Sequence, residues 1–216
     1  MTDQEALWFN TPDTHSLCRG GSNGPAHPSQ LYAIRKYVKP GMSFLDYGAG
    51  SGTTYEAINK ELPDLNLNYH GLDIIKKNAE WCNEHFGTNV FHFNPDIHKI
   101  DEPDRSWDVV YSRHVVDHMK SFEDALDEHC RVAKDLVIVV LWVPFSNQDE
   151  HEIKNIDYRP SGGKLYPDEY TNSYSEKKVM EYLHNKIHEG WKLKELTKEV
   201  GVEVGGHDIV LVLQRS

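Results

Sequence analysis

From about residue 40 onward, short apolar runs alternate with stretches whose apolar residues recur every three or four positions. The first kind reads as strand, the second as amphipathic helix. A helix over 29–38 carries Leu31, Ile34 and Val38 on one face and closes at Pro40-Gly41. Strands then fall at about 43–46, 68–73, 89–93, 107–111 and 136–143, and helices at 53–62, 75–86 and 122–133 lie between them. Pro63 and Gly87 stop the first two of these helices, and Ser121 with Asp124 has the spacing of an N-terminal capping box. The 136–143 run is almost unbroken in β-branched residues, which suits a strand buried on both faces. A helix over 175–189, with Val179, Tyr182, Leu183 and Ile187 along one side, precedes two last strands at about 191–200 and 207–214. This pattern predicts one α/β domain over 1–216, a mostly parallel sheet with helices on both faces. Residues 144–173 break it: they are polar, rich in Tyr and Gly, and long for a simple connection.

The most distinctive junction is Phe44-Leu45-Asp46-Tyr47-Gly48-Ala49-Gly50-Ser51-Gly52-Thr53-Thr54, where a strand meets a helix. Glycine can take positive φ and let a ligand lie against the backbone. Free N–H groups at the start of the helix can hold a polar or anionic ligand end. A dinucleotide fingerprint reads G-x-G-x-x-G, whereas Gly48, Gly50 and Gly52 read G-x-G-x-G with Thr at position 53. A phosphate would gain nothing from Asp46, but a ligand bearing a positive group would. The plainer alternative is a glycine-rich turn of a flavodoxin-like domain that binds something else.

This stretch resembles motif I of the class I S-adenosylmethionine-dependent methyltransferases, whose cofactor carries an ammonium and a sulfonium. Further elements resemble the family in the right order. Asp73 ends the second strand in Tyr69-His70-Gly71-Leu72-Asp73-Ile74, and Asp96-Ile97 follows the third in Phe91-His92-Phe93-Asn94-Pro95. Ser106-Trp107-Asp108-Val109-Val110-Tyr111-Ser112-Arg113 resembles the fourth strand, and Arg131-Val132-Ala133-Lys134 the lead into the fifth, without its Pro-Gly-Gly. The resemblance spans about residues 30–143 and implies S-adenosylmethionine as cofactor. It assigns the cofactor Asp46, Gly48, Ala49, Gly50, Gly52 and Ser112, with Asp73 accepting from the ribose hydroxyls and Ile74 packing on adenine. Asp96 would accept from the adenine amino group, and Ile97 would supply a backbone N–H and an apolar wall. An Asp73 that only caps the following helix is the alternative. The implied fold is Rossmann-like: seven strands in the order 3-2-1-4-5-7-6, helices on both faces, the last strand antiparallel.

Displacement at a sulfonium mainly needs alignment, since the leaving group is already activated. An alcohol or a protonated amine also needs a base. By resemblance, His114-Val115-Val116-Asp117-His118-Met119, just past the fourth strand, lines the acceptor pocket. His118 matches a histidine of the family, and Asp117 holds the acidic place before it. His114 would share a face with His118 if the segment is helical. His118, His114 and Asp117 are therefore the candidate catalytic residues, and a His118 that only bonds a backbone carbonyl is an equal alternative. Two flanks are expected to cap the site. One is 1–28, with Trp8, His15, Arg19 and Gly20-Gly21; the other is 144–174, with His151, Tyr158, Arg159, Lys164, Tyr166, Tyr170 and Tyr174. Tyrosine walls suit a sugar, aromatic or amino-acid-derived acceptor, and Arg159 or Lys164 a carboxylate or phosphate. A solvated loop is the alternative.

Composition narrows the partners. The formal charge is −11 with no Lys/Arg cluster, so nucleic acid and anionic membranes are poor partners and a small-molecule acceptor is expected. Cys18, Cys82 and Cys130 lack metal or redox spacing and read as idle thiols of a reducing compartment. The acidic N-terminus has no apolar signal segment, and no apolar run reaches the ~20 residues of a membrane span, so a cytoplasmic location is expected. Thirteen histidines show no ligand spacing, and no protein-bound metal is expected. The oligomeric state stays open. Three rival readings are a methyltransferase for protein or RNA, a nicotinamide-dependent oxidoreductase, and a non-catalytic cofactor-binding protein.

Overall fold

The computed structural model describes residues 26–92, 99–119, 121–148, 150–154, 169–201 and 208–216. Five parallel strands come first: β1 (Ser43–Tyr47), β2 (Asn68–Asp73), β3 (Asn89–His92), β4 (Trp107–Arg113) and β5 (Ala133–Leu141). A separate antiparallel ribbon follows, β6 (Glu150–Lys154) with β7 (Glu169–Ser173). The chain closes with β8 (Trp191–Val200) and β9 (Asp208–Arg215), and β9 runs antiparallel to both β5 and β8. The sheet order is β3-β2-β1-β4-β5-β9-β8. Without the ribbon strands, that is the 3-2-1-4-5-7-6 order the resemblance implies.

Alternation along the strands explains the two faces. Val137, Val139 and Leu141 of β5 join one core, and Leu136, Ile138 and Val140 join the other. Three helices cover the second face: α1 (Pro28–Tyr37), α2 (Thr53–Glu61) and α3 (Lys76–Phe86), which bury Leu31, Ile34, Ile58 and Ala79 there. The first face takes α4 (Phe122–Val132) and α5 (Glu176–His188) through Leu126, Cys130, Val179 and Leu183. Ser121 caps α4 by accepting from the Asp124 N–H at 3.2 Å. Among the described residues, no helix is long and apolar enough to cross a membrane.

The structure differs from the sequence reading in three places. β5 starts at Ala133 rather than 136, because α4 passes into it with no intervening turn. Arg215 takes over the work of that turn by donating to the Cys130 and Ala133 carbonyls at 2.7 and 3.0 Å. The 144–173 stretch holds the β6–β7 hairpin, whose strands lack the apolar alternation by which a strand is read. His114 and His118 do not share a helix face: His114 has φ 57°, and Val116–His118 forms a single 3-10 turn. Trp8, His15, Arg19, Gly20, Gly21, Cys18, Asp96, Ile97, Tyr158, Arg159, Lys164 and Tyr166 lie outside the described residues, as do the side chains of His151 and Tyr170.

Candidate active site

Register brings the carboxyl ends of three strands level. Tyr47 pairs with Leu72 of β2 on one side and with Ser112 of β4 on the other. The strand order reverses at β1, which opens a crevice there, as open α/β sheets do at such a switch point. The glycine turn lies at its mouth. Gly48, Gly50 and Gly52 have φ of 82°, 55° and 79°, the left-handed region that side chains disfavour. Position 48 admits only glycine for a second reason, since a Cβ there would stand 2.2 Å from Val115 Cγ2. The Gly48 and Ala49 N–H groups bond the Leu72 carbonyl at 2.7 and 2.9 Å, which fastens the turn to the end of β2. Gly52 then starts α2 with no side-chain cap.

Two acids flank the turn. Asp73 is buried at the end of β2. Its Oδ2 accepts from the Gly50 N–H at 2.7 Å, and its Oδ1 from the Ile75 N–H at 2.8 Å and from Asn78 Nδ2 at 3.3 Å. It thus ties down the head of the next helix, whose N-cap residue is Ile75, and holds the glycine turn in the same act. Burial raises its pKa against these bonds. The following residue, Ile74, is half-buried in the bend after β2. Asp46 is 1% exposed and accepts from the Tyr69 hydroxyl at 2.6 Å. Burial pushes its carboxyl up to about 7, with the Tyr69 bond pulling the other way.

The third wall is the end of β4 and the loop beyond it. Ser112 is fully buried, and its hydroxyl, like that of Ser51 in the glycine turn, has no partner among the described residues. Asp117 is fully buried and accepts from the Trp142 and Val143 N–H groups, both at 3.3 Å, which draws those residues out of β5. Burial raises its pKa to about 8. His118 is half-buried, its ring 6.3 Å from that of Trp142. His114 Nε2 instead lies 2.9 Å from a carboxylate oxygen of Asp208, the residue that opens β9. The end of the hairpin and the residue after it brace this loop: the Tyr174 hydroxyl shares its one proton between the Val116 and Met119 carbonyls at 2.6 and 2.9 Å, and Asn172 Nδ2 donates to Met119 O.

Asp208, Ser29 and His27, which gather around His114, are absent from the sequence reading. Their signals are faint: one acid at the head of the apolar run Ile209–Leu213, and a His and a Ser flanking the Pro that starts α1. Tyr69 is missed for the same reason, since an aromatic residue on a buried strand reads as core.

An adenosine bearing a sulfonium and an amino acid fits these residues. The glycine turn would keep side chains off the ligand's path, Asp73 would be an acceptor at the ribose end, and Asp46 an acid for the ammonium end. Ser51 and Ser112 contribute buried hydroxyls still to be satisfied. A family model for the methyltransferase domain matches residues 29–203. No curated protein matches the chain. Among solved structures, a methyltransferase dependent on S-adenosylmethionine from Aquifex aeolicus aligns at 18% identity and TM-score 0.60, over 95% of this chain and 100% of its own. A 1,6-didemethyltoxoflavin-N1-methyltransferase from Burkholderia thailandensis, solved with its substrate and S-adenosylhomocysteine, aligns at 11% and 0.66, over 94% and 84%. A complex of a Haloferax volcanii methyltransferase with its Trm112 activator aligns at 15% and 0.67, over 93% of each chain. With the glycine turn, the sheet order and a family match over most of its length, the chain belongs to the class I S-adenosylmethionine-dependent methyltransferases.

Proposed function

We propose that this methyltransferase acts on a small-molecule acceptor, bound between the loop after β4 and the β6–β7 hairpin. The observation that carries this reading is the bracing of that loop. Tyr174 and Asn172 tie the hairpin to the carbonyls of Val116 and Met119, so an acceptor next to the glycine turn would sit under a roof. A roofed site suits a compact ligand better than a polymer. The charge of −11 points the same way, because it repels nucleic-acid backbones. The Burkholderia relative, whose name gives a small heterocyclic substrate, adds a precedent within the fold.

When bound, S-adenosylmethionine supplies a methyl group already activated by the sulfonium charge, for direct in-line displacement. The chain's own part is then to hold, orient and deprotonate. Gly48, Ala49, Gly50 and Gly52 would hold the cofactor's amino-acid end, Asp46 its ammonium, Asp73 and Ile74 its adenosine, and Ser112 a polar edge of the cofactor pocket. Asp96 and Ile97, which lie outside the described residues, would serve the adenine in this reading. Of the candidate bases, Asp117 spends both oxygens on backbone N–H groups and serves to shape the loop. His114 and His118 are the two rings left to face an acceptor.

The test is a label-transfer experiment. The protein is incubated with methyl-labelled S-adenosylmethionine and a cell extract split into small-molecule, protein and RNA fractions. Label entering the small-molecule fraction supports the reading; label confined to protein or RNA contradicts it.

A further inference from the structure

Four polar side chains from three distant parts of the chain converge beside the β4 loop. Asp208 is 4% exposed, and its Oδ2 accepts from Ser29 Oγ of α1. The same oxygen lies 2.9 Å from His114 Nε2 and 3.6 Å from His27 Nδ1. His27 Nδ1 is in turn 2.7 Å from Ser29 Oγ. Gly201, at φ 86°, makes room for the His27 ring, since a Cβ there would stand 2.6 Å from it.

A carboxylate can only accept hydrogen bonds. His114 therefore presents Nε2–H to Asp208, which leaves Nδ1 as the one ring atom able to take a proton. The groups that face this ring are Asp208 from β9, His27 just before α1, Ser29 of α1, and Arg113 from β4. Burial lowers the His114 pKa, the Asp208 bond raises it, and Arg113 and His27 lower it, for a net shift downward that keeps the ring neutral at pH 7. Burial pushes Asp208 up, but the His114 and Ser29 bonds and the Arg113 charge hold it below the usual carboxylate range, so it stays ionised. The ring is not sealed in: its side chain is 30% exposed. His114 also sits at φ 57°, a left-handed region uncommon for side-chain-bearing residues. Its neighbour Val115 touches Gly48, so the ring stands one residue from the cofactor turn.

We propose that His114 is the proton acceptor of this methyltransferase and that Asp208 is its positioning residue. The acceptor substrate is then of the class whose nucleophilic atom carries a proton, a hydroxyl or N–H compound rather than a tertiary amine or thioether. As the acceptor oxygen or nitrogen bonds the methyl carbon, the carbon–sulfur bond breaks and its electron pair neutralises the sulfonium. The acceptor's proton passes to His114 Nδ1, and the imidazolium so formed is steadied by Asp208 until it loses the proton to water. This rests on the methyltransferase reading above.

Nitrogen-15 NMR of the histidine rings tests the proposal on the full chain, with the His114 signal assigned by its loss in H114Q. The wild-type ring should be the Nε2–H tautomer with Nδ1 unprotonated. Asp208→Asn should lower the proton affinity of His114 about tenfold, since it removes a charge in contact with the ring. An Nδ1–H tautomer, or an unchanged His114 pKa in Asp208→Asn, overturns the proposal. Should that variant fail to fold, the wild-type tautomer decides alone. Calorimetry with S-adenosylhomocysteine separates the two levels. Normal ring behaviour without binding would count against the methyltransferase reading, and binding with the wrong tautomer would count against the dyad.

Discussion

The two halves of the proposed site are built in opposite ways. The cofactor half is local: from Asp46 to Asp73 the chain makes one strand, one glycine turn, one helix and one more strand, and short backbone bonds lock them together. The acceptor half is assembled from afar. His114 meets Asp208 across 94 positions, Ser29 meets it across 179, and Tyr174 reaches Val116 across 58. A ligand shared by many enzymes can be held by one compact unit, whereas the acceptor pocket draws on loops and flanks, which are free to vary.

If the halves are built separately, changes in the first should abolish cofactor binding and changes in the second should spare it. The largest effect is expected from Gly48→Ala. It combines a left-handed φ with a 2.2 Å clash against Val115, worth about 3 kcal/mol or roughly a hundredfold in S-adenosylhomocysteine affinity by calorimetry. Asp73→Ala comes next, since it removes charged hydrogen bonds of about 1.5–3 kcal/mol, and a loss of roughly ten- to a hundredfold is expected in the same titration. It should also loosen the glycine turn, visible as faster amide exchange at Gly50.

The pH dependence sharpens the comparison further. Asp46 titrates near 7, and the cofactor's ammonium favours its ionised form. Affinity for S-adenosylhomocysteine should therefore rise on the order of tenfold between pH 5.5 and 8, with release of a proton on binding. Without ligand the sign reverses. The folded carboxyl holds its proton more tightly than the unfolded one, so its contribution makes the free protein less stable as pH rises from about 4 to about 7. An affinity flat in pH would remove Asp46 from the ammonium.

The smallest effects on the cofactor belong to the acceptor half. Tyr174→Phe removes the hydroxyl shared by two loop carbonyls, each of which keeps one other donor, and should cost about 1 kcal/mol of stability, a fall of a few degrees in Tm. Its S-adenosylhomocysteine affinity should stay within about twofold of wild type, because it shares no partner with the glycine turn. A large loss of affinity in Tyr174→Phe would mean that the halves are one unit.

The same contrast explains what the sequence makes legible. The succession of strands and helices and the Asp46–Gly52–Asp73 arrangement can be read from contiguous pattern, because each element is fixed by residues a few positions apart, whereas the strand order is what the family resemblance implies. Even the missing Pro-Gly-Gly before β5 is visible as a departure, although its replacement is not, since Arg215 caps that helix end from the other end of the chain. The β6–β7 hairpin escapes because its strands carry no apolar alternation. The Asp208 cluster escapes because a histidine and an acid 94 positions apart share no local signature, and only the antiparallel return of β9 brings them together. The spacing of His114 and His118 misleads in the other direction: it fits a helix, but His114 leaves β4 through a left-handed turn.

The most direct test of the account is calorimetric titration of the purified protein with S-adenosylhomocysteine, with NADPH run in parallel. The account predicts one S-adenosylhomocysteine site of micromolar affinity, lost in Gly48→Ala, and no heat from NADPH. Binding of NADPH with no response to S-adenosylhomocysteine would contradict it.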